Sequence, residues 1–259
     1  MYYLCGMTEK GLPLHNEDAL MLGHTVSAGG MIRMEAAAPF LAAVCDGVSG
    51  EQAGELAAQS CLSALSRIRY SRRTDLRKRI LDIHSQLAVL SSQNEKTANM
   101  QTTLCGIAVD EEHALHCFNV GDSRLYLCRG GRLTQISRDQ TLVQLLYEEG
   151  TITSEDKRVH SHKNVILPVM GNLSRKPSPE LREFEEGMQF GDVLLLCTDG
   201  LSDYVTPAEM ESILAKPVPL PQRVGEMVSL ALTKGGRDNI TVAAVVRYPD
   251  DVEIPRTIL

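Results

Sequence analysis

The chain has 259 residues and a formal net charge of −7, with 43% hydrophobic and 23% charged residues. That composition fits a globular protein with a sizeable core, and the negative balance argues against a nucleic-acid partner, whose phosphates favour basic surfaces. No run approaches the ~20 apolar residues of a membrane span, and the N-terminus "MYYLCGMTEKG" lacks a basic region followed by an apolar core. A cytoplasmic protein with no membrane partner is therefore expected, and the length predicts one to two domains.

Taken in chain order, short runs rich in Val, Leu, Ile and Cys predict strands at 40–45, 103–109, 114–120, 124–128, 193–198 and 240–247. Residues 51–68 place Ala53, Leu56, Ala57, Cys61, Leu65 and Ile68 on one helical face. Residues 75–91 do the same with Leu76, Ile80, Ile83, Leu87 and Leu90. These two helices are expected to form an antiparallel pair covering a sheet. Across their junction runs "RIRYSRRTDLRKR", residues 67–79. It is expected as a solvated turn and helix face, the alternative being a docking patch for an acidic partner. Two more helices are expected at 139–149 and 221–233. Between 150 and 190 the periodicity fails, which predicts a flap or weakly regular structure. Strands run together with helices before and after, which predicts an α+β layered fold with sheet inside and helices outside.

Cys5, Cys45, Cys61, Cys105, Cys117, Cys128 and Cys197 form no C-x-x-C pair, and several sit inside apolar runs. They read as buried free thiols rather than zinc ligands or disulfides. The seven histidines form no H-x-x-x-H pair. Acids, in contrast, border the apolar runs. Asp46 follows "FLAAVC", Asp199 follows "VLLLCT", Asp122 follows "LHCFNVG", and Asp238 precedes "NITVAAVV". If those strands are antiparallel neighbours, the acids gather at one edge of a sheet. Glu17 and Asp18 form a further acidic pair in "LHNEDAL". Clustered carboxylates need a compensating cation or must protonate, and hard oxygen ligands suit Mg²⁺ or Mn²⁺. In "VCDGVSGEQAGELAA", Gly47 leaves a backbone carbonyl free to approach the same ion, and Gly50 and Gly54 let the turn and the following helix pack closely. A single Asp-Gly is by itself most often a turn, so composition and spacing reach only an oxygen-ligand metal site.

Six motifs in order, "HNEDAL", "VCDGVSGEQAGELAA", "TTLCGIAV", "NVGDSRLYL", "GDVLLLCTDGLSDYV" and "GGRDNITVAAVV", resemble the metal-dependent serine/threonine protein phosphatases of the PPM (type 2C) family, in its compact bacterial form. The resemblance implies a central antiparallel β-sandwich flanked on each side by a pair of helices. It implies two Mn²⁺ or Mg²⁺ ions, bridged by Asp46. Gly47 contributes its carbonyl to one ion, and Asp199 and Asp238 hold the other. Asp122 matches the residue that binds a third, weaker ion. Glu17 and Asp18 match acids that orient metal-bound waters, and Asn239 matches the family's Asp-Asn pair. The implied reaction is direct hydrolysis of protein phosphoserine or phosphothreonine by a water activated between two cations. No cysteine nucleophile is needed, and Cys45 and Cys197 read as core residues. A phosphorylated protein substrate and a cognate serine/threonine kinase are implied with it, as is a monomer that forms a single phosphatase domain over residues 1–259.

The chain departs from the family at four places. Pro13 stands where an arginine usually grips the phosphate, Ser49 replaces a glycine, "RDQT" at 138–141 replaces the usual Asp-His-Ser, and Pro168 and Val169 stand where an arginine is common. Arg33, the arginine nearest in sequence to the motif, offers one compensation, although it reads as a solvated residue. The substrate-binding residues stay unassigned. Two further readings are a degenerate, metal-binding sensor of a phosphorylated partner, and a phosphatase dedicated to an anti-sigma-factor antagonist.

Overall fold

The computed structural model describes residues 1–48, 52–93, 95–163, 165–184 and 186–249. Ser49 and Gly50, named above, lie outside them. Twelve strands are described: β1 Tyr2–Glu9, β2 Asp18–Leu22, β3 Thr25–Ser27, β4 Gly30–Ala36, β5 Phe40–Asp46, β6 Leu104–Val109, β7 Leu115–Val120, β8 Arg124–Arg129, β9 Arg132–Gln135, β10 Glu180–Phe184, β11 Val193–Cys197 and β12 Ile240–Arg247. They form two six-stranded sheets, ordered β4-β1-β12-β11-β8-β9 and β10-β7-β6-β5-β2-β3. Every pairing is antiparallel.

The inner faces meet in one apolar layer that includes Leu4, Leu20, Val44, Ile107, Leu196 and Val245. On one outer face, helices α1 (Gln52–Ser66) and α2 (Leu76–Ser91) bury Ala57, Cys61, Leu65, Ile80 and Leu87 against β2, β5 and β6. On the other, Met210, Leu214, Val224 and Val228 are buried against Leu195 and Val242; α6 (Pro207–Leu214) and α7 (Leu220–Thr233) supply them. This is the expected α-β-β-α layering. The second covering pair is α6 with α7, however, rather than the helix expected at 139–149. That helix, α3 (Leu142–Glu148), lies with α4 (Ser154–Val159).

Two expectations need correction. Leu56 is exposed, and Ala58 and Leu62 take its place against the sheet, so the buried stripe of α1 is turned by about one position. The acids do not share one sheet either, because β5 belongs to the sheet opposite β11 and β12. All seven cysteines are free and buried, as expected. No helix among the described residues is long and apolar enough to cross a membrane.

Candidate active site

Strand direction brings the acids to one end of the sandwich. The C-terminal ends of β5, β7 and β11 and the N-terminal ends of β2 and β12 open there, carrying Asp46, Asp122, Asp199, Asp18 and Asp238. Asp18 and Asp46 are direct register partners on β2 and β5. Asp199 opens the short helix α5, Asp199–Ser202.

Backbone and hydroxyl contacts hold Asp46 in place. Its N–H donates to Thr103 Oγ1 (2.9 Å), and its carbonyl accepts from Thr102 Oγ1 (2.9 Å) and from the Thr103 N–H (2.8 Å). Thr103 Oγ1 in turn contacts Ser123 Oγ at 2.7 Å, beside Asp122. Gly47 needs to lack a side chain: a Cβ there would lie 2.4 Å from the Gly54 carbonyl carbon on α1. The helix therefore packs directly on the turn after Asp46, the role expected of Gly54.

Asp18 is fully buried, and its Oδ2 accepts from Thr198 Oγ1 at 2.8 Å. A hydroxyl chain continues beneath it. The Thr241 N–H donates to Thr198 Oγ1 (3.0 Å), and Thr241 Oγ1 donates to Thr8 Oγ1 (2.7 Å). These threonines stitch β1, β11 and β12 to the opposite sheet. None of them stands out in the sequence by motif, although polar residues closing apolar runs ("CTDG", "NITV") are the available signal.

Asn239 is buried and positions Glu17. Its Oδ1 accepts from the Glu17 N–H (2.7 Å), while its Nδ2 donates to the carbonyls of Lys10 (2.7 Å) and His15 (3.0 Å). The Gly47 N–H donates to the Glu17 carbonyl at 3.1 Å. Asn239 and Gly47 thus pin the segment carrying Glu17 and Asp18 from both sides. Gly200 makes a second close approach, because a Cβ there would lie 1.9 Å from the Asn239 carbonyl oxygen.

The electrostatics are those of a crowded anionic site. Burial pushes the Asp46 carboxyl well above the ordinary carboxylate range, and the charges of Asp199, Asp18, Asp122 and Asp238 push it further. Asp18 rises to about 8, through burial and the charges of Asp199 and Asp238, against the lowering effect of the nearby Thr241 and Thr198 hydroxyls. Asp122 rises to about 8 through burial, Asp199 and Asp139. Asp199 rises to about 6, through burial, Asp238 and Asp203. Asp238, at the exposed rim, is raised by partial burial and by Asp203. Asp18 Oδ1, Asp122 Oδ1 and Asp199 Oδ1 are buried without a hydrogen-bond partner. Orphaned acceptors of this kind are what a divalent cation satisfies. Among the described residues no three of His, Cys, Asp and Glu form a ready cage for one ion. Such a donor set fits a cation that keeps several waters, as Mg²⁺ does.

Two of the departures from the resembled family are absorbed structurally. In "RDQT", Asp139 takes a bidentate bond from Arg124, with contacts of 2.7–3.2 Å. Gln140 clamps Gly121, next to Asp122: its N–H donates to the Gly121 carbonyl (2.9 Å), and its Oε1 accepts from the Gly121 N–H (3.1 Å). Val169 is a buried core residue. The 150–190 stretch contains α4 and β10 and is tied back by bridges Thr141–Ile166 and Thr102–Met170, so it forms a flap anchored beside Asp46. Pro13 sits half-buried in a bend between exposed Leu12 and Leu14. Arg33 lies exposed on edge strand β4, beside Tyr3.

Comparison with known proteins agrees with this geometry. Residues 11–240 match the family described as protein phosphatase 2C. The serine/threonine phosphatase stp of Listeria welshimeri is 33% identical over 250 residues, covering 93% of this chain and 94% of that protein. The crystal structure of the Mycobacterium tuberculosis serine/threonine phosphatase PstP/Ppp superposes with a TM-score of 0.80 at 30% identity, over 96% of this chain and 100% of that one. The catalytic domain of PstP, solved in complex with two manganese ions, superposes with a TM-score of 0.75 at 30% identity, over 95% and 99% of the two chains. The chain belongs to the protein phosphatase 2C family.

Proposed function

We propose that this chain is one catalytic unit that hydrolyses phosphoserine and phosphothreonine in proteins. Asp46, the Gly47 carbonyl, Asp199 and Asp238 would hold two Mn²⁺ or Mg²⁺ ions, and Asp122 a third, weaker one. The observation that carries this reading is the set of buried, unpartnered oxygens on Asp18, Asp122 and Asp199, converging with Asp46 at one end of the sandwich. The chemistry such ions supply when bound is a nucleophilic water near neutral pH and neutralisation of charge on the phosphoryl oxygens.

The chain's own residues prepare the place. Thr102 and Thr103, with Ser123 behind Thr103, fix the backbone of Asp46 at the end of β5. The hydroxyl chain of Thr198, Thr241 and Thr8 fixes Asp18. Asn239 and Gly47 fix the backbone of Glu17, and Glu17 and Asp18 would order water around bound cations. Arg124 is committed to Asp139 and steadies the Asp122 turn rather than gripping substrate. A serine/threonine kinase would supply the substrate. One chain carries the whole acid set, so a monomer suffices.

Hydrolysis of an aryl phosphate and of a phosphothreonine peptide, with Mn²⁺ and with chelator, tests this. Manganese-dependent turnover of both supports it. Manganese binding without turnover would instead make the chain a metal-binding sensor.

A further inference from the structure

We infer that the turn joining α1 to α2 is a docking surface for an acidic segment of the protein substrate, remote from the active site; this rests on the phosphatase reading above. Residues 67–79 carry seven of the chain's 26 Lys and Arg residues against a single acid, Asp75, although the whole chain is net −7. Arg67, Arg69, Arg72, Arg73, Arg77, Lys78 and Arg79 are all exposed.

The fold presents these cations rigidly. Tyr70, Leu76 and Ile80 are buried beneath them in the core shared with α1. The turn closes through the Thr74 N–H to the Ser71 carbonyl (2.8 Å) and the Ser71 N–H to Thr74 Oγ1 (3.0 Å). Only Arg72 is neutralised, by Glu112, while its backbone N–H donates to Glu111. Among the described residues the other six show no carboxylate partner. Asp75 is spent as the N-cap of α2, accepting from the Lys78 N–H. The first turn of α2 contains no acid and carries Arg77, Lys78 and Arg79, the sign that the helix dipole opposes. Local folding therefore gains nothing from this charge arrangement.

The chemistry of the patch selects among anionic partners. Six of the seven cations are arginines, whose planar guanidinium takes carboxylates in two-bond pairs. The patch offers no exposed large apolar or aromatic side chain to enter a bilayer or to stack on bases, since Tyr70 and Leu76 are buried. A polypeptide carboxylate cluster fits these features best.

Its place in the fold sets the spacing. Helix α1 starts against the active site, where Gly54 packs on Gly47, and runs 15 residues to Ser66 at the patch. That is about 22 Å along the helix. An extended chain covers ~3.3–3.6 Å per residue, so the acidic tract must lie at least about seven residues from the phosphorylated one. Docking there raises the effective concentration of the phosphoresidue without touching the chemistry.

The test uses the full chain and the variant R69E/R73E/R77E, with R69Q/R73Q/R77Q as a second variant should charge reversal unfold it. A fluorescein-labelled poly-glutamate peptide, which carries no phosphate, should bind the wild type, weaken with salt, and fail to bind the variants. A phosphothreonine peptide with an acidic tract about eight residues away should have a KM roughly tenfold below the same peptide without it. The variants should erase that difference and leave aryl phosphate turnover unchanged. Equal KM for both peptides in the wild type overturns the inference. So does capture of phosphatidylserine vesicles or poly-uridine RNA in place of poly-glutamate. If neither phosphopeptide is turned over but poly-glutamate binding is lost in the variants, the surface stands and the phosphatase reading falls.

Discussion

Asp18 and Asp46 face each other as register partners across the β2–β5 ladder, two carboxylates paired at the buried mouth of a sheet. Without a cation between them this arrangement works against folding, and the pH dependence of stability should show it. Asp18 and Asp122 are raised to about 8 and Asp199 to about 6 in the metal-free fold, above their unfolded value of ~4. Each folded carboxyl therefore holds its proton more tightly than the unfolded one does. Metal-free stability should be greatest at the low end and fall as pH rises from ~4 through about 8. Thermal melts in chelator should show Tm declining across that window, and saturating Mn²⁺ should flatten the decline. A metal-free Tm that rises across the same window would contradict the anionic-cluster description.

Asn239→Ala should cost stability and activity together. The substitution strips partners from the Glu17 N–H and from the Lys10 and His15 carbonyls at once. A loss of about 1–3 kcal/mol is expected, with lower turnover because Glu17 and Asp18 lose their anchor. Denaturant melts with parallel kinetics check it. Wild-type kcat in the folded variant would remove Asn239 from the positioning role.

Gly200→Ala tests the close approach of α5 to the start of β12. The added methyl has no room against the Asn239 carbonyl, so α5 must shift and carry Asp199 away from Asp238. About 1–3 kcal/mol of overpacking cost and weaker Mn²⁺ binding are expected. Calorimetric titration showing unchanged affinity would mean that the turn relaxes without moving Asp199.

Asp122→Ala tests whether Asp122 holds a third ion apart from two tight ones. Asp122 stands on the β7–β8 turn, clamped by Gln140 through Gly121. Two tightly bound Mn²⁺ should remain, turnover should fall, and the Mn²⁺ concentration for half-maximal rate should rise. Loss of the tight sites would reassign Asp122 to the central pair.

Pro13→Arg adds a cation where the family usually carries one. Charge-assisted hydrogen bonds contribute about 1.5–3 kcal/mol, so kcat/KM for a phosphopeptide should improve by roughly tenfold or more. Arg33 does not already fill the role, since it sits on edge strand β4 beside Tyr3. Arg33→Ala should leave kcat/KM unchanged. If Pro13→Arg changes neither kcat/KM nor inhibition by phosphate in a folded protein, another group grips the phosphate.

Much of this molecule was legible in its sequence, for reasons that differ by element. The strands β5, β6, β7, β11 and β12 are buried on both faces and read as continuous apolar runs, so they stand out without alternation. Their terminal acids were visible because a carboxylate closing an apolar run is a chemical anomaly. Strand β4 is an edge with an exposed, alternating pattern including Arg33 and Glu35, and β10 is a half-exposed edge; neither carries a strong signal. Strand β1 is central but is interrupted by Gly6, where a Cβ would approach the Val242 carbonyl at 3.0 Å. Helix α6 had a readable start, the capping box of Thr206 and Glu209 with Pro207 between them; its eight residues are too few for periodicity to stand out. The division of the acids between two sheets was not legible, because strand order depends on non-local pairing.

Calorimetric titration of Mn²⁺ into wild type and Asp46→Asn, paired with phosphothreonine-peptide turnover, asks whether Asp46 organises a two-cation hydrolytic centre. Two tight sites and turnover are expected in the wild type. In the variant, tight binding and turnover should be lost, with a metal-free Tm equal to or above that of the wild type because one repelling carboxylate is gone. Full Mn²⁺-dependent activity in Asp46→Asn, or a wild type that hydrolyses the peptide equally well in chelator, would contradict it.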